Sequence, residues 1–165
     1  MADPTVEPPT VRLANAGDVQ RLRAFRCVHG AGTWYERHAA DVVRRAALWL
    51  DQGRLEATDA VLLFEVGEDL VGVAVITEES GATAHVAAVA TERTLRGARL
   101  GSESGPRLSA TVLATALEEA STRGYSRATA IVARPHRRSQ RLLEQAGFSF
   151  ESRFDDSYDL HSVEL

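Results

Sequence analysis

Cysteine is all but missing from this chain. Cys27 stands alone, which rules out an internal disulfide and any cysteine-rich zinc site. As a nucleophile it would need a partner base, for which His29 is the neighbour. A small residue at the end of a helix is the plainer reading. No apolar run approaches the roughly 20 residues that a membrane helix needs. From Met1 to Pro9 the chain is acidic and proline-rich. It lacks the basic start and apolar run of a signal peptide, so residues 1–10 read as a flexible leader and the location as cytoplasmic. No internal repeat, low-complexity tract or interdomain linker interrupts the rest. Positive charge is short as well: the formal net charge is −4. That balance disfavours nucleic acid, which would want a broad basic face.

What remains is an ordinary folding chain. With 165 residues, 44% of them hydrophobic, it can fill the core of one domain, taken here as residues 11–165. Its arginines gather in two stretches: Arg93, Arg96, Arg99 and Arg107, then Arg134, Arg137, Arg138 and Arg141. Local basic clusters in a net-acidic chain fit a compact anionic ligand, and equally a pair of solvated basic loops.

The hydrophobic pattern yields a run of elements. Val11 to Ala14 reads as a first strand. Asn15 and Asp18 offer caps for a helix over Ala16 to Phe25. A second helix over Tyr35 to Leu50 carries Ala39, Val43, Ala46 and Leu50 on one stripe. Val61 to Val66 and Leu70 to Thr77, split by Gly67-Glu68-Asp69, form a hairpin, and Ala84 to Ala90 adds a third strand. Thr91 to Gly105 has no periodicity. Pro106 suits the first position of a helix running to Arg123, with Gly124 as its stop. A strand over Ala128 to Ala133, a helix over Arg137 to Ala146, and strands over Phe148 to Phe154 and Tyr158 to Glu164 complete the chain. The order predicts an α/β mixed sheet of about seven strands with helices on both faces, and a locally parallel pair around the Pro106 helix.

Arg96 to Ser109, dense in Gly, Ser and Arg, leads into a helix start. Free backbone N–H groups and the positive end of the helix dipole make such a place a cradle for an anion. The segment has neither the Gly-Lys-Ser/Thr ending of a P-loop nor the glycine spacing of a dinucleotide fold. Arg107 in the first turn of one helix and Arg137, Arg138 and Arg141 in another oppose the dipoles there. A polyanion between the two tips would turn that cost into attraction. Long side chains pointing into solvent are the alternative.

In order along the chain come Gly72-Val73-Ala74, the strand ending Val89-Ala90-Thr91, Arg96-Gly97, Leu117-Glu118-Glu119-Ala120, Arg123-Gly124-Tyr125 and Gln145-Ala146-Gly147-Phe148. This ordered set resembles the GNAT N-acetyltransferase superfamily, from about Val11 onward. The resemblance implies acetyl-CoA as acyl donor, no metal, and an amine acceptor that is a small molecule or peptide, neither nucleic acid nor membrane. It implies that Ala87 and Val89 pair with pantetheine and that the Val89 N–H stabilises the oxyanion. It places the pyrophosphate on the glycine loop and helix start. There Arg99 stands where the family's first glycine belongs, with Gly101 in register. Counting back from Glu118 instead places Arg107 and Ser109 at the glycine positions and implies an insertion near Gly101 to Gly105. The helix count, favoured by Pro106, assigns the contacts to Gly105, Arg107, Leu108 and Ser109, with Arg99 and Gly101 nearby. His136, Arg138 and Ser139 belong to the cofactor set at the last helix.

The family's leaving-group acid is a tyrosine; Leu143 stands at that position and cannot serve. Its general base is often a glutamate; His85 stands near that position and titrates in a useful range, or simply packs on a strand face. Glu78, Glu79, Asp155, Asp156 and Tyr158, in turns that border the acceptor cleft, are further candidates for the base, and Trp34, Glu78 and Asp156 are the candidates for acceptor binding. Two rivals stand beside an active N-acetyltransferase. One is an acyl-CoA-binding or regulatory module of the same fold with weak or no chemistry. The other is a toxin modifying aminoacyl-tRNA, which the net acidity opposes. The terminal strands offer a way to form a homodimer.

Overall fold

From Ala60 to Thr91 the chain is almost continuously apolar, cut only at short turns. In the computed structural model, which describes residues 2–165, it forms three antiparallel strands. In chain order the elements are β1 (Thr5–Val6), β2 (Thr10–Leu13), α1 (Val19–Ala24), α2 (Arg37–Asp51), β3 (Ala60–Val66), β4 (Asp69–Ser80), β5 (Thr83–Thr91), β6 (Arg99–Leu100), α3 (Leu108–Thr122), β7 (Arg127–Ala133), α4 (Arg137–Gln145), β8 (Ser149–Arg153) and β9 (Tyr158–Glu164). The main sheet has seven strands in the order β2-β3-β4-β5-β7-β9-β8. Only β5 and β7 run parallel; the other neighbours are antiparallel.

Both faces of that sheet are covered, which is why its central strands lack polar alternation. Ala74 and Ile76 of β4 meet Leu108, Val112, Ala116 and Ala120 of α3 on one side. Val73 and Val75 meet Leu22 of α1 and Val43 and Ala46 of α2 on the other. Each fully buried Val or Leu contributes about 1.5–3 kcal/mol relative to exposure. α4 closes the α3 side further along, through Leu143 against Leu113, Ala130 and Val132. No helix of the described residues is long and apolar enough to cross a membrane.

Three local expectations change. Residues 1–10, read as a loose leader, are partly tied down: β1 pairs in parallel with β6. The Arg99 amide donates to the Pro4 carbonyl at 2.9 Å and the Gly101 amide to the Val6 carbonyl at 2.8 Å. Second, the long helix begins at Leu108, not Pro106. The Pro106 carbonyl accepts from Leu100 at 2.9 Å, Arg99 bridges to Arg107, and Arg107 is extended at φ −70 and ψ 142. Proline's fixed φ serves an extended strand as readily as a helix start. Third, the first helix is a short turn, Ala16–Asp18, followed by α1, with Asn15 and Asp18 forming a reciprocal cap. Of the two final strands only β8 lies at the edge of the sheet, because β9 pairs on both sides.

Candidate active site

The parallel pair is short. β5 meets β7 only from Thr83 to His85 against Arg127 to Thr129. Directly beyond, the pairing of β4 with β5 skips Ala87: Ile76 pairs with Val86 and Val75 with Ala88. A bulge of this kind bends and twists its strand. The two strands separate, and a cleft opens between Val86–Val89 of β5 and Ala130–Ala133 of β7. Leu113, Leu142 and Leu143 floor it, and His136 and Ser139 of the α4 start line it. Ala87 and Val89 therefore stand on the cleft wall.

On the α2 side the cleft is rimmed by aromatic rings in mutual contact. Tyr35 lies 5.0 Å from His136 and 5.5 Å from Trp34; Trp34 lies 5.8 Å from Tyr158, and Tyr158 lies 5.3 Å from His38. Trp34, 46% exposed, forms the outer rim. His85 sits at the apex where β5 and β7 part, with Nδ1 3.0 Å from the Thr129 hydroxyl. Burial pushes the imidazoles of His38, His85 and His136 below their ordinary range, so all three resist protonation. Burial also raises the Cys27 thiol, which opposes a nucleophilic thiolate there.

Side chains from the starts of α3 and α4 converge on Gly97, which holds φ +81. A side chain begun there would lie 3.5 Å from the Arg107 guanidinium and 3.7 Å from that of Arg138. Arg107 donates to the Gly97 carbonyl at 3.2 Å. Burial and the guanidiniums of Arg96 and Arg107 all work against the charge on Arg138. Asp3 enters the same cluster, 3.5 Å from Arg107 and 3.7 Å from Arg99. Glu36 holds Arg96 at 3.1 Å. At the start of α3 the Leu108 amide is spent on the Ala98 carbonyl at 2.8 Å. Ser109 and Ala110, in the first turn, have no intrahelical acceptor for theirs. A compact polyanion fits this convergence of guanidiniums and helix tips.

Other expected residues lie elsewhere. Gly101 and Gly105 spend their amides on Val6 and Ser102. A side chain at Gly105 would fall 1.8 Å from the Leu100 carbonyl oxygen. Both shape the Arg99–Arg107 excursion. Arg99 donates to the Gly105 carbonyl at 2.9 Å. Leu108 is fully buried core. Glu78 accepts from the Tyr125 hydroxyl at 3.3 Å, beside the α3 core rather than the cleft. Asp156 is an exposed turn residue whose carbonyl accepts from Arg134. Sequence reasoning missed His38, Thr129 and Asp3. Thr129 had one signal: it is the only hydroxyl in the apolar stretch Ala128 to Ala133.

The model of the acetyltransferase (GNAT) family matches residues 28–148, most of the chain. The chain belongs to the GNAT family. The GNAT domain of S. lividans PAT is 19% identical, with 95% of this chain covering 90% of that one at a TM-score of 0.70. A mutant form of the spermidine/spermine N-acetyltransferase SpeG from Vibrio cholerae is 13% identical, with coverages of 95% and 94% and a TM-score of 0.66. The IAA acetyltransferase of Bacillus cereus is 14% identical, with coverages of 95% and 99% and a TM-score of 0.64. No curated protein matches. At these identities the structures share the GNAT fold with this chain and nothing finer. Among the described residues no cluster of His, Cys, Asp and Glu is arranged to hold a metal.

Proposed function

We propose that this GNAT chain is an N-acetyltransferase that moves an acetyl group from acetyl-CoA to a small-molecule or peptide amine by direct attack. The observation that carries the reading is the meeting of two features at one cleft. The β5–β7 wedge is apolar and slot-shaped, suited to a thin acyl chain. At its α3–α4 end stand the guanidiniums of Arg107 and Arg138, suited to phosphates. Ser109, His136, Arg138 and Ser139 would hold the donor there, and Ala87 and Val89 would line its acyl arm. In this reading the Val89 amide meets the developing oxyanion.

His85 is the base. Its burial keeps it neutral near pH 7, so it accepts a proton from the acceptor's ammonium. The free amine then forms a C–N bond at the thioester carbonyl as the C–S bond breaks; the nitrogen gives up its second proton to the departing thiolate, which leaves as the thiol. His136 faces burial and two cations, Arg96 and Arg138, that work against its protonation, with Glu36 working for it. The acceptor enters past Trp34 and Tyr158.

A rival reading, donor binding without efficient chemistry, draws support from Leu143, an apolar side chain packed in the core where relatives carry an acid. Calorimetry with acetyl-CoA followed by thiol release against a panel of amines separates the two. The chain has no lysine, so no side-chain amine of its own adds background. Turnover with any amine supports the enzyme. Binding without turnover supports the rival, and absence of binding removes both. His85→Gln should abolish the acid limb of the pH–rate profile; an unchanged profile removes His85 from the mechanism.

A further inference from the structure

We propose that Glu79 and Thr129 are positioning residues that hold His85 in a single tautomer, with Nδ1 protonated and Nε2 bare toward the proton it must take. This deepens the reading of His85 as base and rests on it.

The hydrogen bonds allow one assignment. Thr129 is fully buried, and its hydroxyl oxygen makes both contacts: 2.5 Å to the Glu79 carboxylate and 3.0 Å to His85 Nδ1. A hydroxyl has one hydrogen, and a carboxylate only accepts. The threonine hydrogen therefore goes to Glu79, and toward His85 the oxygen must accept. Nδ1 then carries the proton, and a neutral imidazole has no second one for Nε2.

The fold builds this chain from three strands. Thr77, His85 and Thr129 are in register across β4, β5 and β7. Glu79 is the extra residue of a second bulge, since Glu78 pairs with Ala84 and Ser80 with Thr83. Bulges re-aim side chains, and this one directs Glu79 past β5 to the β7 threonine. Glu78, one residue earlier, points to Tyr125 instead. The groups facing His85 are Glu79 from β4, Thr129 from β7 and His38 from α2, with Asp41 and Arg45 around His38. Glu79 favours the charged ring; His38 and burial oppose it.

The step balances simply. Nε2 takes one proton from the acceptor's ammonium, leaving a free amine and an imidazolium. The Nδ1–H···Oγ1 and Oγ1–H···carboxylate bonds persist. The Glu79 charge faces the new cation through one hydroxyl. After transfer the imidazolium returns its proton to solvent.

The test reads the tautomer on the substrate-free protein. Two-bond nitrogen–proton spectra of histidine-labelled protein, with His85 identified through His85→Gln, should show Nδ1–H above the ring's titration. Thr129→Val should lose that form, Thr129→Ser should keep it, and Glu79→Gln should lower the pH at which the ring titrates. Glu79 is exposed, so its variant keeps a readout if Thr129→Val fails to fold. An Nε2–H tautomer in the wild type, or the same ring titration in Glu79→Gln, overturns the proposal. The spectrum needs no turnover. If it shows Nδ1–H while His85→Gln keeps the wild-type pH profile, the base reading fails and the tautomer assignment stands.

Discussion

Replacing Arg138 by Met should weaken CoA binding while leaving the fold as stable as before, or more so. The two effects have opposite signs for one reason. In the free protein Arg138 stands among Arg96 and Arg107, and their mutual repulsion is offset only by Asp3 and Glu36. Methionine keeps the apolar stem and removes a charge that its neighbours disfavour. In the complex that charge is what a phosphate would meet. A hydrogen bond to a charged partner is worth about 1.5–3 kcal/mol. Arg138 is exposed at the cleft end, so solvent screening brings the expected loss to about 1–2 kcal/mol. That is about 5- to 30-fold in Kd, at 1.4 kcal/mol per tenfold. Calorimetry with CoA at two salt concentrations measures it, and the salt dependence should be shallower in the variant. Arg44, which pairs with Asp41 on α2 at 2.6 Å, supplies the control variant Arg44→Met. A Kd within twofold of wild type for Arg138→Met, or an equal loss in the control, would refute the anion site.

Asp3 competes for the same guanidiniums. Asp3→Asn should tighten CoA binding by about 1.5- to 5-fold, the range of an exposed ion pair, again read by calorimetry. Gly105→Ala forces a methyl against the Leu100 backbone at 1.8 Å. It should free the Arg99–Arg107 excursion and β1 for faster amide exchange, while the central strands exchange as before. Asp18 is buried and accepts two bonds from Arg12, at 2.7 and 2.8 Å, and one from the Asn15 amide. Asp18→Asn should lower Tm by roughly 5 °C in a thermal melt. Arg12 holds the Asp18 carboxyl below its usual range, and Arg21 does the same for Glu65. Their stabilisation is complete above the unfolded carboxyl values near pH 4 and is lost as pH falls below them. Acid melts of Asp18→Asn should therefore be flatter than those of the wild type.

The architecture was legible because it rests on periodicity. Val61 to Ala90 reads as three strands from its apolar runs and short turns, and the parallel pair follows from the helix between β5 and β7. The excursion was legible as an insertion near Gly101 to Gly105, but its pairing was not. β1 and β6 are two-residue strands joined across most of the chain, and no local pattern announces a contact of that kind. Pro106 misled for a conformational reason, since its φ fits both states. The choice between Glu78 and Glu79 turned on a single inserted residue in β4. A bulge shifts alternation by one and exchanges the faces of everything after it. His38 had no signal at all, because the neighbours that make it useful, Tyr158 and the apex of the sheet, come from distant parts of the chain.

The proposed reading puts two electrostatic regimes in this cleft, and its chemistry requires them to be kept apart. A phosphate there would meet Arg107 and Arg138 near the helix starts and Arg96 from the preceding loop, itself paired with Glu36. A base wants none nearby, because each cation makes proton uptake harder. His136 lies against that cluster: burial depresses it, Glu36 favours its charged form, and Arg96 and Arg138 oppose it. His85 lies at the other end of the wedge, where the only charge that raises it is Glu79. Burial weakens its imidazole as a base, and a direct ion pair would favour the charged ring. In this chain one threonine hydroxyl stands between ring and carboxylate. Bringing the carboxylate into direct contact, as Thr129→Glu would, should raise the ring's titration and slow turnover at neutral pH.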